Sequence, residues 1–300
     1  MEKAILKTLA YADIFDYPLK INEIHKWLIG PPAGRAGRKA ILRQVEKALK
    51  KLNHELRIKN HGGYHFLAGR HGIVAKRKQR EKQSIIYLRK AKLLGPILKA
   101  IPWIKLVGVS GGLAMDNTSK EDDIDLFIIT SRNRLWISRL LALGLLSLTG
   151  QRRKVGENGR KIAGKLCINI LLEEDRLAQK DKDIYLAHEV LQMKVLWERD
   201  GVYSKYLTDN EWVFKFLPNW TTSLRGVKRR SNLEERLPRS LWSLAMTNVE
   251  RLARWLQLKI MKPAKGMERI QEGALYFHPN DIRPKVLAEY MRKIKKFSTP

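Results

Sequence analysis

Apolar residues recur at helical spacing from the start of the chain: Ile5, Leu6, Leu9 and Ala10 share one face over residues 2–12. Pro18 and a short polar stretch end that segment. The run "NEIHKWLI" predicts a second helix with Asn22 as its cap, and "GPPAGRAG" is a breaker cluster. A third helix is predicted in "RKAILRQVEKALKKLN", with Ile41, Val45, Ala48, Leu49 and Leu52 on its apolar side. The period then changes. "LRIKNHGGYHFLAG" alternates apolar and polar residues on both sides of Gly62-Gly63, which is a hairpin signal. Helical spacing returns over 73–99, where Ile85, Ile86, Leu88, Leu93, Leu94 and Ile97 predict a connector helix that packs on the next domain and breaks at Pro102.

Beyond Pro102, "WIKLVGVS" predicts a strand over 103–110, and an apolar helix comes next at 134–149. "KLCINILLEE" predicts a second strand over 165–174. Helices are expected at about 181–199 and 209–217, then a long amphipathic helix over 233–262 and a basic one over 283–296. No internal repeat or low-complexity tract interrupts this order. The reading is an α/β chain in four parts: 1–70, a basic connector 71–100, a core 101–220 and a basic helical C-terminal region 221–300. Apolar content of 44% supports real cores. The greasiest run, "LWISRLLALGLLSLTG", is shorter than the ~20 residues a bilayer span needs, and Arg139 interrupts it, so a buried helix and no stable membrane insertion are expected. The N-terminus does not read as a signal peptide. Cys167 is the sole cysteine, which excludes an intrachain disulfide, argues against a cysteine-based zinc site and fits a cytoplasmic location. It alternates with core-type residues and reads as buried and inert.

Charge adds a partner class. Lys and Arg number 59 against 30 Asp and Glu, a formal net charge of +29. The excess sits in the flanks: +16 over residues 1–100, +2 over 101–220 and +11 over 221–300. Such flanks attract polyanions, nucleic acid among them. Three short helices and a hairpin resemble a winged helix-turn-helix, with the third helix as the recognition helix and residues 56–67 as the wing. Arg38, Lys39, Arg43, Lys47 and Lys50 on that helix are the nucleic-acid-binding candidates; a protein–protein module with a merely solvated basic face is the alternative.

The chemistry concentrates in "GVSGGLAMDNTSKEDDIDLFIIT", residues 108–130, where Glu121, Asp122, Asp123 and Asp125 fall within five positions. On a strand, Asp123 and Asp125 project to one side, about 7 Å apart, while Ile124, Leu126 and Ile128 face the other. Such a pair suits Mg2+, which takes few carboxylates and completes its shell with phosphate oxygens and water. The Gly111-Gly112 turn, with a helix starting at about Leu113, offers backbone N–H groups to an anion. A solvated acidic loop is the competing reading, and it leaves the upstream glycine pair unexplained. A Walker loop, a dinucleotide fingerprint and an EF-hand loop all fail on required residues.

This unit resembles the nucleotidyltransferase domain of the DNA polymerase β superfamily, which places a Gly-Gly or Gly-Ser pair on a strand-to-helix turn and Asp-x-Asp on the next strand. The chain as a whole, including "YLAHEVLQMKVL", "NEWVFKFLPN" and "FHPNDIRP", is similar to bacterial proteins that join a winged helix to such a domain. The resemblance implies a nucleotidyltransferase-type mixed sheet with helices. It also implies Mg2+ on Asp123 and Asp125, an NTP contacted by Ser110, Gly111 and Gly112, and transfer of a nucleoside monophosphate to an acceptor hydroxyl. It calls for a third carboxylate on a later strand. The central position of "KLCINILLEE" is Asn169, a weaker neutral ligand, and Glu173 is roughly 13 Å further along. Nucleotide sensing with weak catalysis is the alternative function.

Other candidates are weaker. His61, His65 and His71 lie near the hairpin without metal-site spacing, and His278 reads as a turn residue. His188, in register with Tyr185 and Gln192, either approaches the nucleotide or is packed. "GQRRKVGENGRK", 150–161, is a basic loop that contacts triphosphate or acceptor, or is solvated. Trp136, Trp197, Trp212, Trp220, Trp242 and Trp255 fall at helical positions and read as core.

Overall fold

A computed structural model describes residues 1–30, 41–70, 72–154, 156–157, 159–220, 241–261, 269–277 and 281–297. The architecture is mixed α/β, with a small three-stranded sheet and a mixed six-stranded one. Helix α1 (Glu2–Asp13), strand β1 (Leu19–Lys20), helices α2 (Ile21–Lys26) and α3 (Leu42–His54), and strands β2 (Ile58–His61) and β3 (Tyr64–Leu67) come first. The strands pair antiparallel in the order β1-β3-β2. Gly62 and Gly63, both at positive φ, turn the hairpin where the alternation pattern put it. Ile5, Leu6 and Leu9 of α1, Ile24 of α2, Val45, Leu49 and Leu52 of α3 and Ile58 of β2 make the core of this unit.

Three expectations need correcting. Asn22 is not the cap of α2 but lies inside it; the entry is closed by Glu23, whose Oε2 accepts the Lys20 N–H at 2.8 Å. Ile41 precedes α3 and is 57% exposed rather than on the apolar side. Strand β1 escapes pattern reading because two residues cannot show a period.

Helix α4 (Ile73–Leu94) stops eight residues before Pro102, where Gly95-Pro96 opens a 3-10 turn (Gly95–Ala100) and Pro96 has no N–H with which to continue the helical ladder. Of its predicted apolar stripe, Leu88 and Leu94 pack on the core and the rest does not. Ile85, Ile86 and Leu93 are exposed, whereas Arg77, Ser84, Tyr87 and Ala91 are buried. Arg77 is the anchor. Its side chain is 2% exposed, pairs with Glu23 and Glu81 at 2.9 Å each, and lies 3.5 Å over the Tyr17 ring. It fastens α4 to the N-terminal unit.

The six-stranded sheet runs β7-β4-β5-β6-β9-β8, from β4 (Ile104–Val109), β5 (Ile124–Thr130), β6 (Leu166–Glu173), β7 (Lys194–Glu198), β8 (Arg269–Gln271) and β9 (Ala274–Tyr276). Among the described strands only β5 and β6 pair in parallel, joined by the crossover helix α6 (Leu135–Leu148). One face of the sheet carries Ile124, Leu126 and Ile128 into a core with α4, α6 and α9 (Leu241–Met261). The other carries Phe127, Ile129 and Ile170 into a core with α7 (Ile184–Gln192), α8 (Val202–Asp209), α10 (Arg283–Lys295) and the N-terminal residues Tyr11 and Trp27. The start of α6 is capped by α9: Glu250 accepts the N–H groups of Trp136 and Ile137 at 2.7 and 2.9 Å.

Two strand elements replace predicted helix. The expected helix 181–199 ends at Gln192, and its tail is the edge strand β7. The C-terminal region, expected to be helical, also supplies the hairpin β8–β9, which turns at Gly273 and pairs with β6. The expected helix 209–217 is instead α8 followed by a 3-10 turn, Glu211–Lys215. Trp136, Trp212 and Trp220 are buried as expected, but Trp255 is 58% exposed and Trp197 lies on β7. The side chain of Trp242 and residues 221–240, which include the start of the expected helix 233–262, lie outside the described residues. Among the described residues no helix is long and apolar enough to cross a membrane.

Removing one partner of a buried ion pair strands the other charge. Arg77→Met is expected to lower unfolding free energy by about 2–3 kcal/mol, below the upper end for buried pairs because Glu23 and Glu81 keep some solvent contact. Urea denaturation checks this, and a change under about 0.5 kcal/mol would remove Arg77 as the anchor.

Candidate active site

Strand β4 ends at Val109, and Ser110 in extended conformation leads into α5 (Gly111–Ala114), a single helical turn starting two residues earlier than expected. The antiparallel neighbour β5 returns directly beside this turn, with the Ser110 N–H donating to the Asp125 carbonyl at 3.0 Å. Gly111 has φ +60, and a Cβ there would meet Asp125 Oδ2 at 2.8 Å. A side chain at 111 is therefore excluded twice, by backbone conformation and by the carboxylate. Gly112 is looser: its Cβ would meet the Asn117 carbonyl at 3.4 Å.

Asp125 lies on the Phe127 face of the sheet, and Asp123 comes one residue before the strand. The structure brings the two together. Their carboxylates and the Cys167 sulfur all lie within 4.8 Å of one another. Cys167 is there because β5 and β6 pair with Asp125 opposite Cys167. Asn169, expected at the central position, is buried at a register irregularity two residues further on, with its carbonyl accepting the Phe277 N–H at 2.8 Å. The neighbour of Asp125 on the adjoining strand is thus Cys167, a residue read from sequence as inert. Glu121 and Asp122 are exposed, and Asp122 closes the loop by accepting the Ser119 N–H at 2.7 Å. Glu173 is occupied elsewhere, accepting backbone N–H groups of Asn133 and Leu135 at the start of α6.

Arg153, from the basic loop at 150–161, donates to Asp123 Oδ2 at 2.7 Å. Burial, followed by the charge of Asp123, holds the Asp125 carboxyl well above the usual carboxylate range. Burial and then the Asp125 and Asp123 charges push the Cys167 thiol up to about 12.

Asp125, Ser110 and the glycine pair open onto a cavity of about 930 Å³, within the range of small-molecule sites. Its far wall belongs to the N-terminal unit, through Tyr11, Phe15 and Trp27, and to α7, through Tyr185, His188 and Glu189. His188 is stacked between Tyr11 at 4.1 Å and Trp27 at 5.0 Å, so it is packed while also lining the cavity. Burial lowers its pKa to about 3, so it is neutral. Burial raises Glu189 to about 7, although Gln192 donates a hydrogen bond to it. No periodicity marks Glu189 as special; only the packing of α7 against the sheet does.

Of the basic candidates, Arg43, Lys47 and Lys50 lie on the exposed face of α3, while Arg38 and Lys39 are outside the described residues, as are His71 and His278. The chain matches no protein-family model, no curated protein and no solved structure.

Glu189 and His188 oppose each other in pH. The fold raises Glu189 from 4.5 to about 7, so the native state binds the extra proton and stability falls as pH rises through that window. It lowers His188 from 6.5 to about 3, so the unfolded chain binds the extra proton and stability rises with pH up to 6.5. Glu189→Gln removes the first effect only. The stability of the variant relative to wild type is expected to increase steadily from pH 4.5 to 7 and then level off, read by urea denaturation at four pH values. A pH-independent difference would show that Glu189 titrates normally.

Proposed function

We propose that the protein is a nucleotidyltransferase that moves a nucleoside monophosphate from an NTP to an acceptor hydroxyl, with Asp123 and Asp125 holding Mg2+. The observation that carries this reading is the convergence of the two carboxylates beside a glycine turn whose first glycine leaves room only for Asp125 Oδ2. Two hard oxygen donors, one of them Asp125 on the cavity wall, fit Mg2+, which keeps its other positions for water and phosphate. The resemblance of the Gly-Gly and Asp-x-Asp unit to the DNA polymerase β superfamily agrees with it, as does the α1-β1-α2-α3-β2-β3 order with a winged helix-turn-helix.

In this reading Ser110, whose hydroxyl is buried and unpartnered on the cavity wall, meets a phosphate oxygen together with the turn amides of Gly111 and Gly112. Bound Mg2+ supplies charge neutralisation on the triphosphate. The acceptor oxygen bonds to the α-phosphorus, the bond to the bridging oxygen breaks, pyrophosphate leaves, and the acceptor proton passes to a base. Asp123 and Asp125 orient, and the N-terminal wall of the cavity keeps bulk water away from the reacting centre.

A second reading is favoured by the exposed row of Arg43, Lys47 and Lys50: a regulator that binds nucleic acid, senses nucleotide and transfers slowly. One experiment separates them. The protein is incubated with Mg2+, α-labelled NTPs and separate pools of RNA, protein and small molecules, beside an Asp123→Ala/Asp125→Ala variant. Label is expected to move to one pool, and the variant to lose about a hundredfold or more. NTP binding and salt-sensitive RNA or DNA retention without transfer would establish the regulator, and absence of NTP binding would overturn both readings.

A further inference from the structure

The proposed function gives the cation two ligands, both carboxylate oxygens. The structure puts a third donor beside them, and it is sulfur. Asp123, Asp125 and Cys167 present atoms within 4.8 Å of one another, and all three residues are partly open to solvent. This convergence is built by the parallel register that sets Cys167 opposite Asp125. Beside it stands an independent sign of a ligand: the Ser110 hydroxyl is 2% exposed, has no hydrogen-bond partner and lines the cavity together with Asp125. A buried hydroxyl left unpaired costs free energy unless something binds there.

We propose that Cys167 is the third ligand of the cation site and that the site accordingly takes a thiophilic divalent ion of the zinc class, which it binds without nucleotide and more tightly than Mg2+. The inference rests on the reading that Asp123 and Asp125 hold a cation. Two carboxylates and one thiolate leave a fourth tetrahedral position open, the arrangement of zinc centres that act on substrates. Sulfur is a poor ligand for Mg2+ and a good one for Zn2+ or Cd2+. Counting cysteines argued against zinc because it considered sites built from several of them; here carboxylates make up the set.

Arg153 is the occupant an ion must displace. Its guanidinium pairs with Asp123 at 2.7 Å, so it neutralises a carboxylate that the ion would bind. Its backbone is held beside β6, with the Arg153 N–H on the Leu166 carbonyl at 2.9 Å and the Leu166 N–H on the Gln151 carbonyl at 2.7 Å. Exchange therefore requires only the side chain to withdraw. As the ion binds, the thiol gives its proton to solvent, one per ion, and the sulfur lone pair takes the metal.

Because Cys167 is the sole cysteine, both tests read one sulfur. Cd2+ is titrated into the full-length protein while the ultraviolet thiolate–cadmium band is followed, and alkylation by N-ethylmaleimide is timed by intact mass with and without Zn2+ or Mg2+. Expected are one Cd2+ per chain with the band, at least tenfold slower alkylation with Zn2+, and no protection by millimolar Mg2+. Cys167→Ser should abolish the band and weaken Zn2+ by more than about tenfold. Arg153→Gln should instead tighten Zn2+, because it frees the Asp123 carboxylate. Thermal melts show whether each variant folds, and Cys167→Ala replaces the serine variant if it does not. Equal Zn2+ affinity in wild type and Cys167→Ser, with loss in Asp123→Asn/Asp125→Asn, overturns the sulfur ligand and leaves the carboxylate reading intact. Zn2+ and Mg2+–NTP binding that both survive Asp123→Asn/Asp125→Asn overturn the two together.

Discussion

The candidate site depends on one short contact between backbone and carboxylate. Strand β4 must end and turn within the width of a hydrogen bond from β5, because the Ser110 N–H is already committed to the Asp125 carbonyl. That pairing leaves the Asp125 carboxylate lying against the Cα of residue 111, where even a methyl group would intrude. Glycine at 111 follows from this distance, and so does the orientation of Asp125 toward the cavity rather than along the strand. The buried apolar faces above and below β5 then hold the geometry rigid, since Ile124, Leu126 and Ile128 fill one core and Phe127 and Ile129 the other.

Much of this was legible in the residues. The N-terminal helices and the Gly62-Gly63 hairpin declared themselves by a change of period, and the Asp-x-Asp strand by its alternating acids and the apolar run that follows them. What remained hidden depends on pairing between distant segments. Cys167 faces Asp125 only because of the β5–β6 register, and the shift near Asn169 cannot be read from composition. Strand β7 is a five-residue partly exposed edge element whose apolar residues continue the helical pattern of α7. Helix α4 misled for a different reason. Arg77 and Ser84 are among its buried positions while Ile85, Ile86 and Leu93 are exposed, so an apolar-stripe reading finds only part of the packed face.

The division into a basic N-terminal unit and a nearly neutral core holds for charge but not for packing. Tyr11 and Trp27 belong to the first unit in sequence and to the second in contact, where they enclose His188. Arg80 and Asn117 repeat the junction closer to the glycine turn, both donating to the Phe15 carbonyl at 3.1 and 3.0 Å. Any ligand that tilts α1 on the core also alters the cavity that Asp125 lines, because Tyr11 and Ala12 of α1 line it too. The two units share a hydrophobic seam through Tyr11 and Trp27, and packed interiors transmit displacement instead of absorbing it.

Strand β6, which carries Cys167, has β5 on one side and β9 on the other, and β9 lies about a hundred residues further along the chain. During synthesis β6 therefore emerges with an unpaired edge and waits for its outer neighbour. Such an edge is a template for another strand, from the same nascent chain or from a second one. The order of translation thus sets a hazard that the finished sheet conceals: the strand that completes the carboxylate–sulfur cluster is among the last to be protected.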